Sequence, residues 1–271
     1  MKTYPALTVR TADADWLAAA VDDYAPTAIE LRDDQTRVFF ATTADRDAAR
    51  RALASRFEVA AIDVSDEDWP RRSQENLQPV TVGAITISPC RQSPRRRVPQ
   101  SPRPVTIVIV PSMGFGTGHH STTRLCLEAL QTIALRDRTV LDVGTGSGIL
   151  AIAADRLGAA RATGIDSDGD AIQSARENLA MNPEAAHVTF EVADLTASAL
   201  PAADIVTANL TGALLVRSAE RLAAAVRTEG VLIVSGLLAH ERGDVLAALS
   251  GMALIWERED EGWIGLAVKK S

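Results

Sequence analysis

The chain has 271 residues, 46% of them hydrophobic and 23% charged, and a formal net charge of −7. This is the balance of a soluble globular protein with room for one large or two smaller domains. No apolar run approaches the roughly 20 residues of a helical bilayer span, and two cysteines, Cys90 and Cys126, are too few for a disulfide framework or a metal cluster. Met1 to Arg10 has no apolar stretch after its lysine, so no secretory leader is expected and the expected compartment is the cytoplasm.

Charge is unevenly spread. Residues 1–79 carry ten basic and fifteen acidic groups, residues 80–104 carry five arginines and no acid, and residues 105–271 carry thirteen basic and twenty acidic groups. Two acidic bodies therefore flank a basic connector, and three segments are expected: 1–65, 66–104 and 105–271.

In the first segment, Ala6 to Arg10 alternates like a strand, and Asp13 to Tyr24 places Trp16, Leu17, Ala20 and Val21 on one helical face. Thr27 to Leu31 and Arg37 to Ala41 read as strands around the turn Arg32-Asp33-Asp34-Gln35. Thr43 is the expected cap of a helix running to about Arg56, and Val59 to Val64 reads as a further strand. The order β-α-β-β-α-β is that of a ferredoxin-like module, which binds or positions more often than it performs chemistry.

The connector holds Asp66-Glu67-Asp68-Trp69-Pro70, a strand-like stretch from Val80 to Ser88, and then five prolines with Arg91, Arg95, Arg96, Arg97 and Arg103 between residues 89 and 104. That proline density denies helix and central strand. Its arginines suit a weak contact with RNA phosphates, although no aromatics are interleaved with them.

The β-branched run Val105 to Val110 delivers a loop, Pro111-Ser112-Met113-Gly114-Phe115-Gly116-Thr117-Gly118-His119-His120-Ser121-Thr122-Thr123, before a helix from about Arg124 to Gln131. Three glycines in five positions beside hydroxyls make a backbone-rich loop suited to covering a ligand, with Phe115 and Thr117 as its candidate contacts. His119 and His120 are adjacent and point apart, so they are not read as metal ligands. Cys126 is expected to be a small buried hydrophobe.

Thr139 to Leu141 then reads as a buried strand and Ile149 to Leu157 as a helix, joined by Asp142-Val143-Gly144-Thr145-Gly146-Ser147-Gly148. A strand that turns through glycines into a helix lets a ligand approach bare backbone, with helix amides facing it. Beyond it, strands Arg161 to Ile165, His187 to Val192, Asp204 to Ala208 and Val231 to Ser235 alternate with helices Asp170 to Met181, Gly212 to Thr228 and Ala239 to Leu249. Ala253 to Glu257 and Trp263 to Val268 close the chain as a hairpin around Glu259-Asp260-Glu261-Gly262. Such alternation means an α/β, doubly wound, mostly parallel sheet, whose ligands bind at the carboxyl ends of strands. Those ends carry Gly144, Asp166, Asp194 and Asn209.

A dinucleotide fingerprint would need a third glycine where Ile149 stands, and a phosphate-binding loop would need a lysine after Gly148. Asp166, 22 residues after Gly144, suits ribose hydroxyls, and Asp194 is placed to accept from an adenine amino group. S-adenosylmethionine carries both groups without a phosphate. Its amino-acid end suits the Gly144–Gly146 loop, with Asp142 nearby.

Gly114 to Thr123, Leu141 to Ala154, Gly164-Ile165-Asp166, Ala208-Asn209-Leu210 and Val234 to Leu238 together resemble the ribosomal protein L11 methyltransferase family (PrmA). The resemblance spans the catalytic domain and extends more weakly, through Glu67-Asp68-Trp69, toward the N-terminus. It implies a class I S-adenosylmethionine-dependent methyltransferase with a seven-stranded sheet, behind a small ferredoxin-like domain that recognises the substrate. It further implies methyl transfer to lysine ε-amines and the N-terminal amine of a ribosomal protein. Carried over by position, Thr123, Gly144, Asp166 and Asn209 would contact the cofactor, and Asn209 and Leu210 would lie nearest the amine. The chain departs from the family pattern at Gly118-His119-His120-Ser121 (usually Gly-Thr-His-Pro), at Leu210-Thr211-Gly212 (usually Ile-Leu-Ala-Gly) and at Pro89-Cys90-Arg91 (usually Pro-Ser-Trp). These positions bear on the acceptor more than on the methyl donor. Two other readings stay open at this point: a methyltransferase for another protein lysine or a small molecule, and a cofactor- or RNA-binding module without turnover. The oligomeric state is not legible.

Overall fold

The structure is a computed structural model that describes residues 3–11, 17, 20–21, 24–32, 35–65, 79–89, 105–110 and 120–271. The chain divides into two compact units, the first comprising residues 1–77 and 111–115 and the second residues 78–110 and 116–271. Trp16, Trp69, the arginine-rich stretch and residues 111–119 lie outside the described residues.

In the first unit, β1 (Thr3–Val9), β2 (Pro26–Arg32), β3 (Gln35–Phe40) and β4 (Val59–Ser65) form an antiparallel sheet in the order β2-β3-β1-β4, with α1 at Thr43–Leu53. Alternate residues Leu7 and Val9 of β1, with Val38 and Phe40 of β3, pack against Ala49 and Leu53 of α1 and the helical Leu17 and Val21. The cap of α1 is Thr42, one residue before the expected Thr43. Its hydroxyl accepts from the Asp45 amide at 3.2 Å and donates to the Asp45 carboxylate at 2.6 Å, so one side chain serves both directions.

The second unit opens with a three-stranded sheet. Val80 to Ser88, expected as one strand of the connector, is a hairpin: β5 (Val80–Val82) and β6 (Ile85–Ser88) turn at Gly83, whose φ is +57°. Strand β6 then pairs in parallel with β7 (Val105–Val108). Helix α2 (Ser121–Gln131) begins three residues before the expected Arg124, because the ring of His120 caps it. Cys126 is fully buried within α2, and burial pushes its thiol pKa up.

The main sheet alternates strand and helix: β8 (Thr139–Val143), α3 (Ile149–Arg156), β9 (Arg161–Asp166), α4 (Gly169–Ala180), β10 (Val188–Val192), β11 (Ala203–Asn209), α5 (Gly212–Ala225), β12 (Val226–Leu238), α6 (Arg242–Ala248), β13 (Met252–Asp260) and β14 (Trp263–Lys270). Its seven strands run in the order β10-β9-β8-β11-β12-β14-β13. The first five are parallel, and β14 is antiparallel to both neighbours. Strand alternation separates two cores. Val140, Ile205 and Ile233 face α2, α3 and α4 through residues such as Leu127, Ile152 and Ile172. Leu141, Val206 and Leu232 face α5 and α6 through Leu215, Leu222 and Val245. Among the described residues no helix is long and apolar enough to cross a membrane.

Several boundaries in this sheet differ from expectation. Helix α5 ends at Ala225 rather than Thr228, because Val226 already pairs with Ala203. Pairing resumes at Ile205 and Val231, and the four residues between turn through Glu229 (φ +61°) and Gly230, where a Cβ would stand 2.6 Å from the Asp204 carbonyl oxygen. The expected helix Ala239–Leu249 opens as a short 3-10 turn, Ala239–Glu241, with the Glu241 carboxylate accepting from the Leu238 amide at 2.8 Å. The last hairpin is longer than expected. Its turn is Glu261-Gly262, both at positive φ as a two-residue hairpin requires, and β13 carries a bulge between Leu254 and Trp256.

Candidate functional site

Strand order reverses between β8 and β11, the position at which open α/β sheets bind ligands. Val143 is level with Ile165 on one side and Ala208 on the other, so Gly144, Asp166 and Asn209 stand side by side one residue further on. Sequence spacing placed these three at strand ends, and the register brings them to one height.

The glycine loop is held from several directions. Gly144, Gly146 and Gly148 have φ of +70°, +51° and +82°, a region costly for side-chain-bearing residues. The Gly144 and Thr145 amides both donate to the Ile165 carbonyl at 2.9 Å. The Gly146 amide donates to one Asp166 oxygen at 3.0 Å, and the Asp168 amide donates to the other at 3.0 Å. Each carboxylate oxygen accepts one of these bonds and has capacity for another. Gly148 offers helix α3 no side-chain cap.

Asp142 answers that lack from below. Expected near the amino-acid end of a ligand, it is buried, at 1% exposure, and its oxygens accept from the hydroxyls of Thr145 and Thr207, each at 2.6 Å. Burial raises its pKa to about 6; the two hydroxyl bonds and a hydrogen bond from the Ala151 amide oppose that rise, and the charge on Asp166 adds to it. Asp142 thus anchors the loop that follows it. Its hydrogen bonds are spent within the protein.

On the other flank, Leu210 packs over the loop: a Cβ on Gly144 would come within 2.5 Å of its Cδ2 atom. The Leu210 amide donates to the Ser235 carbonyl at 3.0 Å, prolonging the pairing of β11 with β12. Asn209 Nδ2 donates to Thr122 Oγ1 at 3.2 Å, tying this turn to the start of α2. Gly236, at φ +88°, lies against the same turn; a Cβ there would meet the Leu210 carbonyl oxygen at 2.3 Å and Asn209 Oδ1 at 3.1 Å.

Thr123 is buried in the first turn of α2, its amide donating to the His120 carbonyl at 3.1 Å. Asp194 follows β10, where the neighbouring Ala193 amide donates to the Asp166 carbonyl at 2.9 Å. Its carboxylate is exposed and accepts from both the hydroxyl and the amide of Thr196 at 2.7 Å, bonds that hold its pKa below the usual range. Phe115 and Thr117 lie outside the described residues. The structure therefore joins Gly144 to Leu210, Gly146 to Asp166, and Asn209 to Thr122, with Asp194 on the outer side of Asp166.

Sequence reasoning gave no role to Thr122, Thr207, Gly236 or Asn178. The last is 2% exposed on α4. Its Nδ2 donates to the Ser147 carbonyl of the glycine loop at 2.9 Å, and its Oδ1 accepts from the Val110 amide at 2.9 Å. Asn182, one turn later, brackets Val108 by accepting from its amide at 2.8 Å and donating to its carbonyl at 2.7 Å. Two asparagines four apart, one on α4 and one just past its end, were the available signal, since buried amides at that spacing serve backbone.

Comparison with known proteins agrees with this arrangement. The model of the ribosomal protein L11 methyltransferase (PrmA) family matches residues 31–271. A ribosomal protein L11 methyltransferase of Azotobacter vinelandii is 41% identical over 206 residues, covering 74% of this chain and 68% of the relative. One from Geobacter sulfurreducens is 43% identical over 206 residues, covering 74% and 65% respectively. The chain thus matches about two thirds of the length of these relatives. The crystal structure of a ribosomal protein L11 methylase from Lactobacillus delbrueckii subsp. bulgaricus superposes with a TM-score of 0.63 at 26% identity, over 72% of this chain and 99% of that one.

Proposed function

The chain belongs to the ribosomal protein L11 methyltransferase family, and from that premise we propose that it transfers methyl groups from S-adenosylmethionine to amine nitrogens of ribosomal protein L11. The acceptors in this reading are lysine side chains and the N-terminal amine. The observation that carries it is the level row of Gly144, Asp166 and Asn209 at the switch point of the sheet.

The residues present fit the methyl donor. Three successive loop glycines at positive φ keep backbone bare where an amino-acid group would lie. Asp166 has acceptor capacity for ribose hydroxyls beyond its two backbone bonds. Asp194, held ionised, is an acceptor for the adenine amino group. Thr123 and Asn209 complete the contacts among the described residues; Phe115 and Thr117, the loop candidates from the sequence, lie outside them.

When bound, the cofactor supplies a methyl group already activated by its positive sulfur. What remains for the protein is alignment of a neutral amine, since an ammonium has no lone pair to attack with. Asn209 Oδ1 and the Leu210 carbonyl are the oxygens that accept amine N–H bonds and aim the lone pair. The first unit, near residues 1–65, presents the ribosomal protein, and the arginine-rich stretch at 89–104 offers a weak RNA contact.

The test is incubation with methyl-labelled S-adenosylmethionine and ribosomal proteins from cells lacking the enzyme. Label is expected in the L11 band and, after digestion, on lysine-containing and N-terminal peptides. Label confined to other bands overturns the acceptor, and label on L11 away from amines overturns the nitrogen assignment.

A further inference from the structure

One polar cluster beside Asn209 has no part in the proposed contacts with the methyl donor. Thr122 is 4% exposed, in the first turn of α2. Its Oγ1 lies 2.9 Å from His120 Nδ1 and accepts from Asn209 Nδ2 at 3.2 Å. The Thr122 backbone amide also points at His120 Nδ1, at 3.4 Å.

These four groups have one consistent direction. A backbone amide only donates, so His120 Nδ1 is the acceptor in that contact and carries no proton of its own. That nitrogen has one lone pair, shared between the Thr122 hydroxyl proton at the shorter 2.9 Å contact and the amide at 3.4 Å, which leaves an Oγ1 lone pair for Asn209. Only the NH2 side of the Asn209 carboxamide can fill that lone pair. Its Oδ1 is therefore held on the opposite side, toward Gly236, the glycine whose lack of a side chain leaves room for both Oδ1 and the Leu210 carbonyl.

From this geometry we infer that Thr122, acting with His120, is a positioning residue that fixes which way the Asn209 carboxamide faces and so presents its oxygen to the methyl acceptor. The inference rests on the proposed role of Asn209. Without the hydroxyl the amide loses this directional partner, and a flipped amide would offer the incoming amine N–H groups in place of an acceptor. The effect belongs to alignment of the amine, so it falls on turnover more than on capture of the methyl donor.

Thr122→Val removes the hydroxyl and keeps the branched shape, and Thr122→Ser restores the hydroxyl without the methyl. Both, with Asn209→Ala, are to be assayed in the full chain with S-adenosylmethionine and ribosomal protein L11. The readouts are kcat, S-adenosylmethionine affinity by calorimetry, and unfolding midpoint. For Thr122→Val we expect kcat to fall by at least 10-fold, cofactor Kd to stay within about 3-fold, and Thr122→Ser to recover most of the loss. If the valine variant does not fold, the serine variant is compared with Thr122→Ala on the same readouts. Wild-type turnover in Thr122→Val, alongside an inactive Asn209→Ala, overturns this inference alone. An equal loss of cofactor affinity and turnover also overturns it, because it marks a structural role for the cap. An active Asn209→Ala overturns the reading of Asn209 and this inference with it.

Discussion

Asp166 and Asp142 both belong to the same few residues of chain around the glycine loop, yet their surroundings give them opposite work. Asp166 spends one bond per oxygen on backbone and keeps acceptor capacity. Asp166→Ala is therefore expected to weaken S-adenosylmethionine binding by 10-fold or more while costing only about 1 kcal/mol of stability, a split that calorimetry and urea unfolding separate. Asp142 is buried with a pKa near 6 against an ordinary 3.8. Because its folded value is raised, the native state holds its proton more tightly than the unfolded chain between those two pH values. Its contribution to stability thus falls as pH rises through that window, by up to about 3 kcal/mol. Asp142→Asn lacks this titration. The stability of wild type minus variant should decline from pH 4 to pH 6.5, and a flat difference would show that the carboxylate is not penalised by burial. At Gly144, a methyl group would meet both a φ of +70° and Leu210 at 2.5 Å. Gly144→Ala should lose about 1–3 kcal/mol by urea unfolding, and an unchanged midpoint would mean that the loop has freedom this geometry denies. Asp166 and Asn209 were legible in the sequence because a polar residue ending an apolar strand is visible without coordinates. Thr122 was not, since its partner is 87 positions away.

Elements were legible where periodicity was long and punctuated. Strand β9 was expected from Arg161 to Ile165 with Asp166 at its end, and it runs Arg161–Asp166. The misread boundaries share a physical cause: the stop signal was tertiary. Nothing in the alanine-rich run before Val226 marks the end of α5; the pairing of Val226 with Ala203 does. The start of α2 was hidden for another reason. Histidine is an uncommon cap, and His120 fills the place where serine, threonine, aspartate or asparagine would have announced a helix. The end of α4 shows how one element positions another, because Asn182, two residues past it, lends β7 the backbone partners a missing strand would have provided. Replacing it leaves the amide and carbonyl of Val108 buried without those bonds. Asn182→Ala should cost about 2–4 kcal/mol in unfolding experiments, whereas a loss below about 0.5 kcal/mol would mean that water reaches Val108.

At the scale of the whole molecule, the doubly wound sheet with its terminal hairpin was readable from alternation alone, and its strand order follows the expected class. The division of the chain was less readable. Val80–Ser88 resembled connector, but its partner Val105–Val108 lies across the proline-rich stretch, and strand pairing over such a gap leaves no local signature. Inserting β14 between β12 and β13 leaves β13 as an outer strand, with Leu254 and Ile255 at 42% and 50% exposure. An outer strand bearing apolar side chains is a template for self-association. The bulge between Leu254 and Trp256 falls at those two residues and breaks the even ladder an incoming strand would copy. Deleting Ile255 should restore that ladder and give concentration-dependent light scattering where the parent stays clear; a monodisperse deletion variant would assign the protection elsewhere. The irregularity in β13 thus puts the uneven part of the outer edge where its exposed apolar side chains stand, so that the rim offers an incoming strand no regular track.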